Sequence, residues 1–311
     1  MPNPERQPLT LAFGGGGVKS VACAGVLAVL EEAGLPIGPI VGVSGGGLVA
    51  LLYGAGYSPL HIRKIFDDIE LLDVWEPDPE RKAVFGATRL RARLEQYVGR
   101  RTFADLKHPV MATAMDLHTE RPVRLDSGLL VDAAQATMAI PGLFRGVERD
   151  GQLLVDGGMV SPLPLAEARA LGGPVVAVDV LWHRSPDEFN HLFEGRGPMR
   201  YAGILTRRLG LGEILNQGYH AAAIMTRRLS EYTLQLHPPD LLLRPETGRV
   251  GLFAFDLAGY AYEMGVAAAR AALPQLEALT QPRRPSVWKR IATRTREFWN
   301  RHIRRRRKHG A

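Results

Sequence analysis

Residues 9–34, LTLAFGGGGVKSVACAGVLAVLEEAG, and residues 40–54, IVGVSGGGLVALLYG, decide the fold of this 311-residue chain. Leu9 to Phe13 reads as a strand that ends in four glycines, Gly14 to Gly17, and Ser20 to Ala33 reads as a helix closed by Gly34. Ile40 to Val43 is a second short strand, running directly into Ser44 and a helix through Tyr53. Strand, glycine-rich turn and helix, twice in succession, predict a parallel βα sheet with functional groups at the strand ends.

Working outward, Val110 to Ala114, Val123 to Leu125, Gln152 to Val155, Val175 to Val180 and Asp240 to Arg244 are further candidate strands. Val175 to Val180 is continuously apolar, as a strand buried on both faces must be. Tyr260 to Leu279 reads as a closing helix, and Gln281 to Pro285 as a linker containing Pro and Arg. His183 to Tyr219 mixes Pro, Gly, charges and aromatics without clean periodicity, which suits a mobile cover or access segment. The expected organisation is a polar leader over 1–8, one three-layer α/β/α domain with a mainly parallel central sheet over 9–280, and a basic tail over 281–311.

Composition permits such a domain, with 46% hydrophobic and 23% charged residues. The uncharged run from Ala33 to Leu60 is long enough to suggest a membrane span. Pro36, Pro39 and its many glycines divide it instead into strand, turn and helix. The polar, Pro-containing opening from Met1 to Thr10 lacks the pattern of a secretory leader. Cys23, the single cysteine, lies in a small-residue helical run and reads as a packed core thiol, which suits a reducing compartment. These features together predict a cytoplasmic protein, or one peripheral on the inner face of the membrane.

Gly42-Val43-Ser44-Gly45-Gly46 is a GxSxG sequence in the strand-to-helix context that the motif requires. A sharp turn lifts the hydroxyl out of the sheet, and small neighbours leave room for it. The turn Gly14 to Gly17, followed by Val18 and Lys19, gathers unpaired backbone N–H groups and so favours negative charge. A nucleotide phosphate, a dinucleotide pyrophosphate and the oxyanion of acyl transfer all fit that description. Val18 stands where a Walker loop needs glycine, and Ser20 where the dinucleotide pattern read from Gly15 does, so both nucleotide readings miss. Asp156-Gly157-Gly158 follows the strand ending at Val155 and places a carboxylate beside two residues without side chains. Alone, that Asp-Gly pair reads as an ordinary turn.

Taken in order, the Gly15-Gly16-Gly17 turn with Lys19, the GVSGG elbow, Ala114-x-Asp116-Leu117, Ile140-Pro141-Gly142-Leu143-Phe144 and Leu154-Val155-Asp156-Gly157-Gly158 resemble the patatin-like phospholipases. These are lipid acyl hydrolases that use a Ser/Asp dyad. The resemblance extends from Leu9 to about Leu279. It implies Ser44 as nucleophile and Asp156 as proton acceptor, with N–H groups of Gly15, Gly16, Gly17 and Gly45 forming the oxyanion hole and Lys19 contacting the substrate head group. It implies fatty-acyl esters of phospholipids, lysophospholipids or related lipids as substrates, an acyl-enzyme intermediate, and neither metal nor other cofactor. Ser20 departs from the usual glycine of relatives. Gly45, often alanine in relatives, is expected to be a harmless departure.

An unperturbed aspartate is far too weak a base to ionise a serine freely, so proton transfer must accompany attack. Burial beside an apolar lipid site would raise the carboxylate's pKa and strengthen it as a base. Competing readings are an acyltransferase on the same dyad and a membrane-surface scaffold in which the dyad is idle. His118 and His183 are the candidates for a histidine-containing triad, and neither stands in a triad context.

From Arg283 onward there are twelve Lys or Arg and one acid, Glu297, so this tail carries +11 of a net +7 and the rest is left with −4. On a helical wheel Trp288, Ile291, Phe298 and Trp299 share one side, and Arg290, Arg294 and Arg301 lie on the other. This amphipathic basic helix has the pattern of one lying on an anionic membrane surface. Docking on the acidic body is the rival reading. No base-reading module accompanies the arginine run, so specific nucleic-acid binding is not expected.

Overall fold

A computed structural model describes residues 6–69, 76–80, 82–83, 85–183 and 211–282. The chain divides into a compact unit, Met1–Thr280, and a second unit, Gln281–Ala311. Trp288, Arg290, Ile291, Arg294, Phe298, Trp299 and Arg301 of the expected tail helix lie outside the described residues, as does 184–210 of the expected access segment.

The first unit is a three-layer α/β/α structure whose sheet is mainly parallel. Strands β1 (Leu9–Phe13), β2 (Ile37–Val43), β3 (Val110–Asp116), β7 (Val175–Val178) and β8 (Leu241–Leu243) run parallel. Antiparallel β4 (Arg121–Leu125), β5 (Val147–Arg149) and β6 (Gln152–Asp156) extend the sheet, whose order is β5-β6-β3-β2-β1-β7-β8 with β4 also on β3.

Alternation along the strands separates two cores, because successive side chains point to opposite faces. Leu9, Leu11 and Phe13 of β1 join Val176 and Val178 of β7 in the larger one. That core is covered by α1 (Val21–Glu32), α2 (Ser44–Gly54), α3 (Pro59–Asp67), α4 (Thr88–Val98), α5 (Leu130–Thr137) and α8 (Ala258–Ala271). Ala12, Val41, Met111, Val175 and Ala177 face the other way, against Leu165 and Ala168 of α6 (Leu165–Leu171) and Leu234 of α7 (Leu211–Leu236). Helices α1 and α8 touch backbone to backbone. A β-carbon added at Gly25 would stand 2.1 Å from the Tyr262 carbonyl oxygen, and one at Gly265 1.9 Å from that of Ala22.

Three expectations change in detail. Strand β2 begins at Ile37, before Pro39, because the β1 pairing shifts register between Leu9↔Ile37 and Leu11↔Ile40, and that irregularity accommodates the proline. The closing helix is two helices, α8 and α9 (Leu273–Thr280). Pro274 lacks the N–H that would continue α8, whereas the first turn of a new helix does not need it. Residues 211–219 of the expected access segment open the 26-residue α7. Among the described residues, no helix is long and apolar enough to cross a membrane.

Candidate active site

Strand register brings Ser44 and Asp156 together. Strand β4 occupies one edge of β3, pairing with residues 112 to 116, which leaves the opposite edge to β2 and then β6. The last β2 pair is Val43↔Thr113, and the next residue of β3, Ala114, pairs with Asp156. So β6 takes over the edge where β2 turns away, and the residue after Val43 meets the last residue of β6.

Ser44 sits at that turn with φ +54°, in the left-handed region that L-residues avoid. Crowding explains the glycines around it. A β-carbon at Gly42 would lie 2.5 Å from the Gly46 carbonyl oxygen, and one at Gly46 2.5 Å from that of Gly14. The Ser44 N–H donates to Thr137 Oγ1 at 2.8 Å.

The Asp156 carboxylate accepts the Gly158 N–H at 2.8 Å to Oδ1, and the Ser44 hydroxyl is the neighbouring side-chain group that favours its charged form. Only 5% of Asp156 and 7% of Ser44 is exposed. Burial lifts the carboxyl to about 6, against the opposing pull of the Ser44 hydroxyl and the Gly158 N–H. A carboxylate so raised is a better proton acceptor than an exposed one and is still ionised at neutral pH.

The first glycine turn lies against the serine: a β-carbon at Gly15 would be 3.1 Å from Ser44 Cβ. The four expected oxyanion donors are not equivalent. The Gly15 N–H donates to the Pro162 carbonyl at 3.0 Å, so it is spent on the backbone and that expectation is corrected. Among the described residues, no loop or turn carbonyl takes the N–H of Gly16 or Gly17. Gly45 is the second residue of α2, where N–H groups lack an intrahelical acceptor. Gly17 and Gly45 both line the cavity beside Ser44.

Gly45 is itself closely packed. Its β-carbon would stand 2.4 Å from the Gly17 carbonyl oxygen and 2.9 Å from Ser20 Oγ. Ser20 fills this space because its hydroxyl turns back to donate to the Gly14 carbonyl at 3.2 Å. Lys19 is 1% exposed and does not line the cavity, so it is not presented to a substrate there. Burial, with the charge of Arg227 second, brings its ammonium down to about 8.

The cavity has a volume of about 750 Å³, part of it open to solvent. Ser44, Leu48 and Leu52 line it from one face of α2, at positions i, i+4 and i+8. At 1.5 Å per residue this wall runs about 12 Å from the serine. Ile65, Phe66 and Ile69 close it on one side, and Leu90, Arg93, Leu94 and Tyr97 of α4 on another. Met138, Ile140, Phe144, Leu252, Phe253 and Phe255 complete a lining in which, among the described residues, Arg93 is the one charged group.

The histidines stand elsewhere. His183 pairs with Glu246 at 2.8 Å and packs on Trp182, and His118 is exposed in the turn after β3. Asp116 of the Ala-x-Asp-Leu segment holds that turn, accepting from the N–H groups of His118 and Leu153 and from the Thr119 hydroxyl. Its carboxyl is held below the usual range, chiefly by the Thr119 hydroxyl.

A family model described as patatin-like phospholipase matches residues 11–169. The chain belongs to this family. An uncharacterized NTE family protein of Mycobacterium bovis is 33% identical over 160 residues, 51% of this chain and 44% of that protein. The patatin-like phospholipase domain-containing protein 7 of Rattus norvegicus is 30% identical over 191 residues, 55% of this chain and 13% of that protein. A lysophospholipase of Saccharomyces cerevisiae is 28% identical over 211 residues, 61% of this chain and 12% of that protein. The matched part of the patatin-like chain thus spans less than half the length of these curated relatives. Every motif from the first glycine turn to Asp156 falls inside the 11–169 match.

Proposed function

We propose that this patatin-like protein is a serine lipid acyl hydrolase in which Ser44 attacks a fatty-acyl ester while Asp156 takes its proton. The observation that carries this reading is the strand register that sets Ser44 beside Asp156, a buried carboxylate raised to about 6, at the wall of an apolar cavity. Attack forms the Ser44–acyl carbon bond, and the proton held by Asp156 passes to the departing alcohol as the ester bond breaks. N–H groups of Gly16, Gly17 and Gly45 stabilise the oxyanion in between. Water then attacks the acyl-enzyme, again giving its proton to Asp156, and frees the fatty acid.

The cavity suits the acyl chain better than a head group, because its lining is apolar. The 12 Å wall from Ser44 to Leu52 would accommodate on the order of ten extended carbons. Phospholipids, lysophospholipids and related lipids are the substrate class. The basic tail would hold the enzyme on an anionic bilayer on the cytoplasmic side, through Trp288, Ile291, Phe298 and Trp299 below and Arg290, Arg294 and Arg301 around them.

The test is a lipid panel presented in anionic and in neutral vesicles, with and without an acceptor alcohol, for the wild type and Ser44→Ala. Fatty acid release that disappears in the alanine variant is expected, with faster turnover on anionic vesicles. Undiminished hydrolysis by Ser44→Ala would refute the assignment. Acyl transfer to the alcohol in place of release would make the enzyme an acyltransferase on the same pair.

A further inference from the structure

The four residues from Thr137, at the end of α5, to Ile140, at the start of the Ile140-Pro141-Gly142 turn, hold both members of the proposed pair by their backbones. Thr137, the last residue of α5, is fully buried. Its Oγ1 donates to the Thr113 carbonyl at 2.7 Å and accepts the Ser44 N–H at 2.8 Å. A hydroxyl has one proton to give. With that proton committed to Thr113, the oxygen faces Ser44 only as an acceptor, so the orientation of the pair is set.

Two residues later the Ala139 carbonyl accepts the N–H of Asp156 at 2.9 Å. Thr113 and Ala114 are also the β3 residues that pair with Val43 and with Asp156. One short segment therefore ties the backbone of the serine, that of the aspartate and the strand beneath them. Met138 and Ile140 of this segment line the cavity as well.

We propose that Thr137 is a positioning residue for the reaction, its hydroxyl holding Ser44 in the left-handed conformation that points the Ser44 oxygen at Asp156. The inference rests on the hydrolase reading given above. Ser44 at φ +54° is in a conformation that its own side chain disfavours. An external acceptor for its N–H is what keeps it there, since a buried amide without one is costly. Without that acceptor the elbow can turn to find another, and the hydroxyl leaves the carboxylate. Nothing in the motif GxSxG specifies this partner, which lies 93 residues away.

Thr137→Val keeps the shape and removes the acceptor, and Thr137→Ser keeps the acceptor and removes a methyl group. Steady-state kinetics on a soluble monoacyl ester should show kcat of the valine variant reduced 10- to 100-fold with KM within twofold. The serine variant should stay within threefold of wild type in both. A purely structural role would lower the melting temperature of both variants and leave their kcat at the wild-type value. Should the valine variant fail to fold, Thr137→Cys takes its place, since sulfur is a weak acceptor, and kcat below that of the serine variant is expected. A valine or cysteine variant that turns over like Thr137→Ser would overturn the proposal. Ser44→Ala, measured alongside, separates the two failures. Its activity would refute the hydrolase reading, whereas a dead Ser44→Ala with a fully active Thr137→Val would refute the positioning role alone.

Discussion

Asp156→Asn is expected to lower kcat/KM for a lipid ester on the order of 10⁴-fold and, above pH 6, to make the protein harder to unfold. The first effect follows from losing the one group, among the described residues, placed to take the Ser44 proton, by analogy with other serine hydrolases stripped of their base. The second follows from linkage. The folded protein holds this carboxyl at about 6, above its value near 4 in an unfolded chain. Its protonated form therefore stabilises the fold fully below pH 4, and that contribution is lost as pH rises through about 6. Asparagine never ionises, so the variant should gain on the order of 1–3 kcal/mol on the wild type between pH 5 and pH 8. Denaturant melts at the two pH values read this directly. Wild-type kcat/KM should fall as pH drops through about 6, because the base is then protonated. A variant that loses activity but shows no pH-dependent stability gain would mean that Asp156 is not held as a strained, buried anion.

Gly45→Ala should be a severely damaging single-methyl change in the site, lowering kcat about 10²- to 10³-fold, as for loss of one oxyanion donor. The added carbon would meet the backbone carbonyl of Gly17, which cannot swing away as a side-chain tip could. Moving it displaces the turn whose N–H groups face the oxyanion. The second obstruction is the Ser20 hydroxyl. Ser20→Gly together with Gly45→Ala should therefore recover part of the lost kcat, about 10-fold, while Ser20→Gly alone should change little. Non-additivity of this kind is expected of residues in contact. If Gly45→Ala were fully active, the narrowing of the oxyanion donors to this turn and elbow would be wrong.

Local patterns made much of the scaffold legible. The strand Leu9–Phe13, its glycine turn and the helix after it follow from apolar periodicity and from glycine punctuation, and the structure has them nearly residue for residue. Helices α3 and α4 do carry an amphipathic helical period in the sequence, with Ile62, Ile65 and Phe66 and then Leu90, Leu94 and Val98 on the buried face, whereas the three-residue β5 is too short to show a pattern. The break at Ala272 was missed because Pro274 falls inside an otherwise unbroken helical pattern.

At the site, residue types were readable and partners were not. Ser44, Asp156 and the glycine turn stand in recognisable motifs, yet their meeting depends on β6 replacing β2 along one edge of β3, which is a matter of long-range register. The use of the Gly15 N–H by Pro162, the crowding at Gly45 and the acceptor role of Thr137 depend on contacts between segments far apart in sequence. Thr137 does immediately precede the Met138-Ala139-Ile140-Pro141 stretch, and that adjacency was the one available hint.

The most direct measurement is the rate at which a fluorophosphonate probe forms an adduct, with the modified residue located by peptide mass spectrometry. The account predicts a single adduct on Ser44, forming more slowly as pH falls through about 6 and slowed at least 100-fold in Asp156→Asn. An adduct on another serine, or labelling of Ser44 that proceeds equally fast without the aspartate, would contradict it.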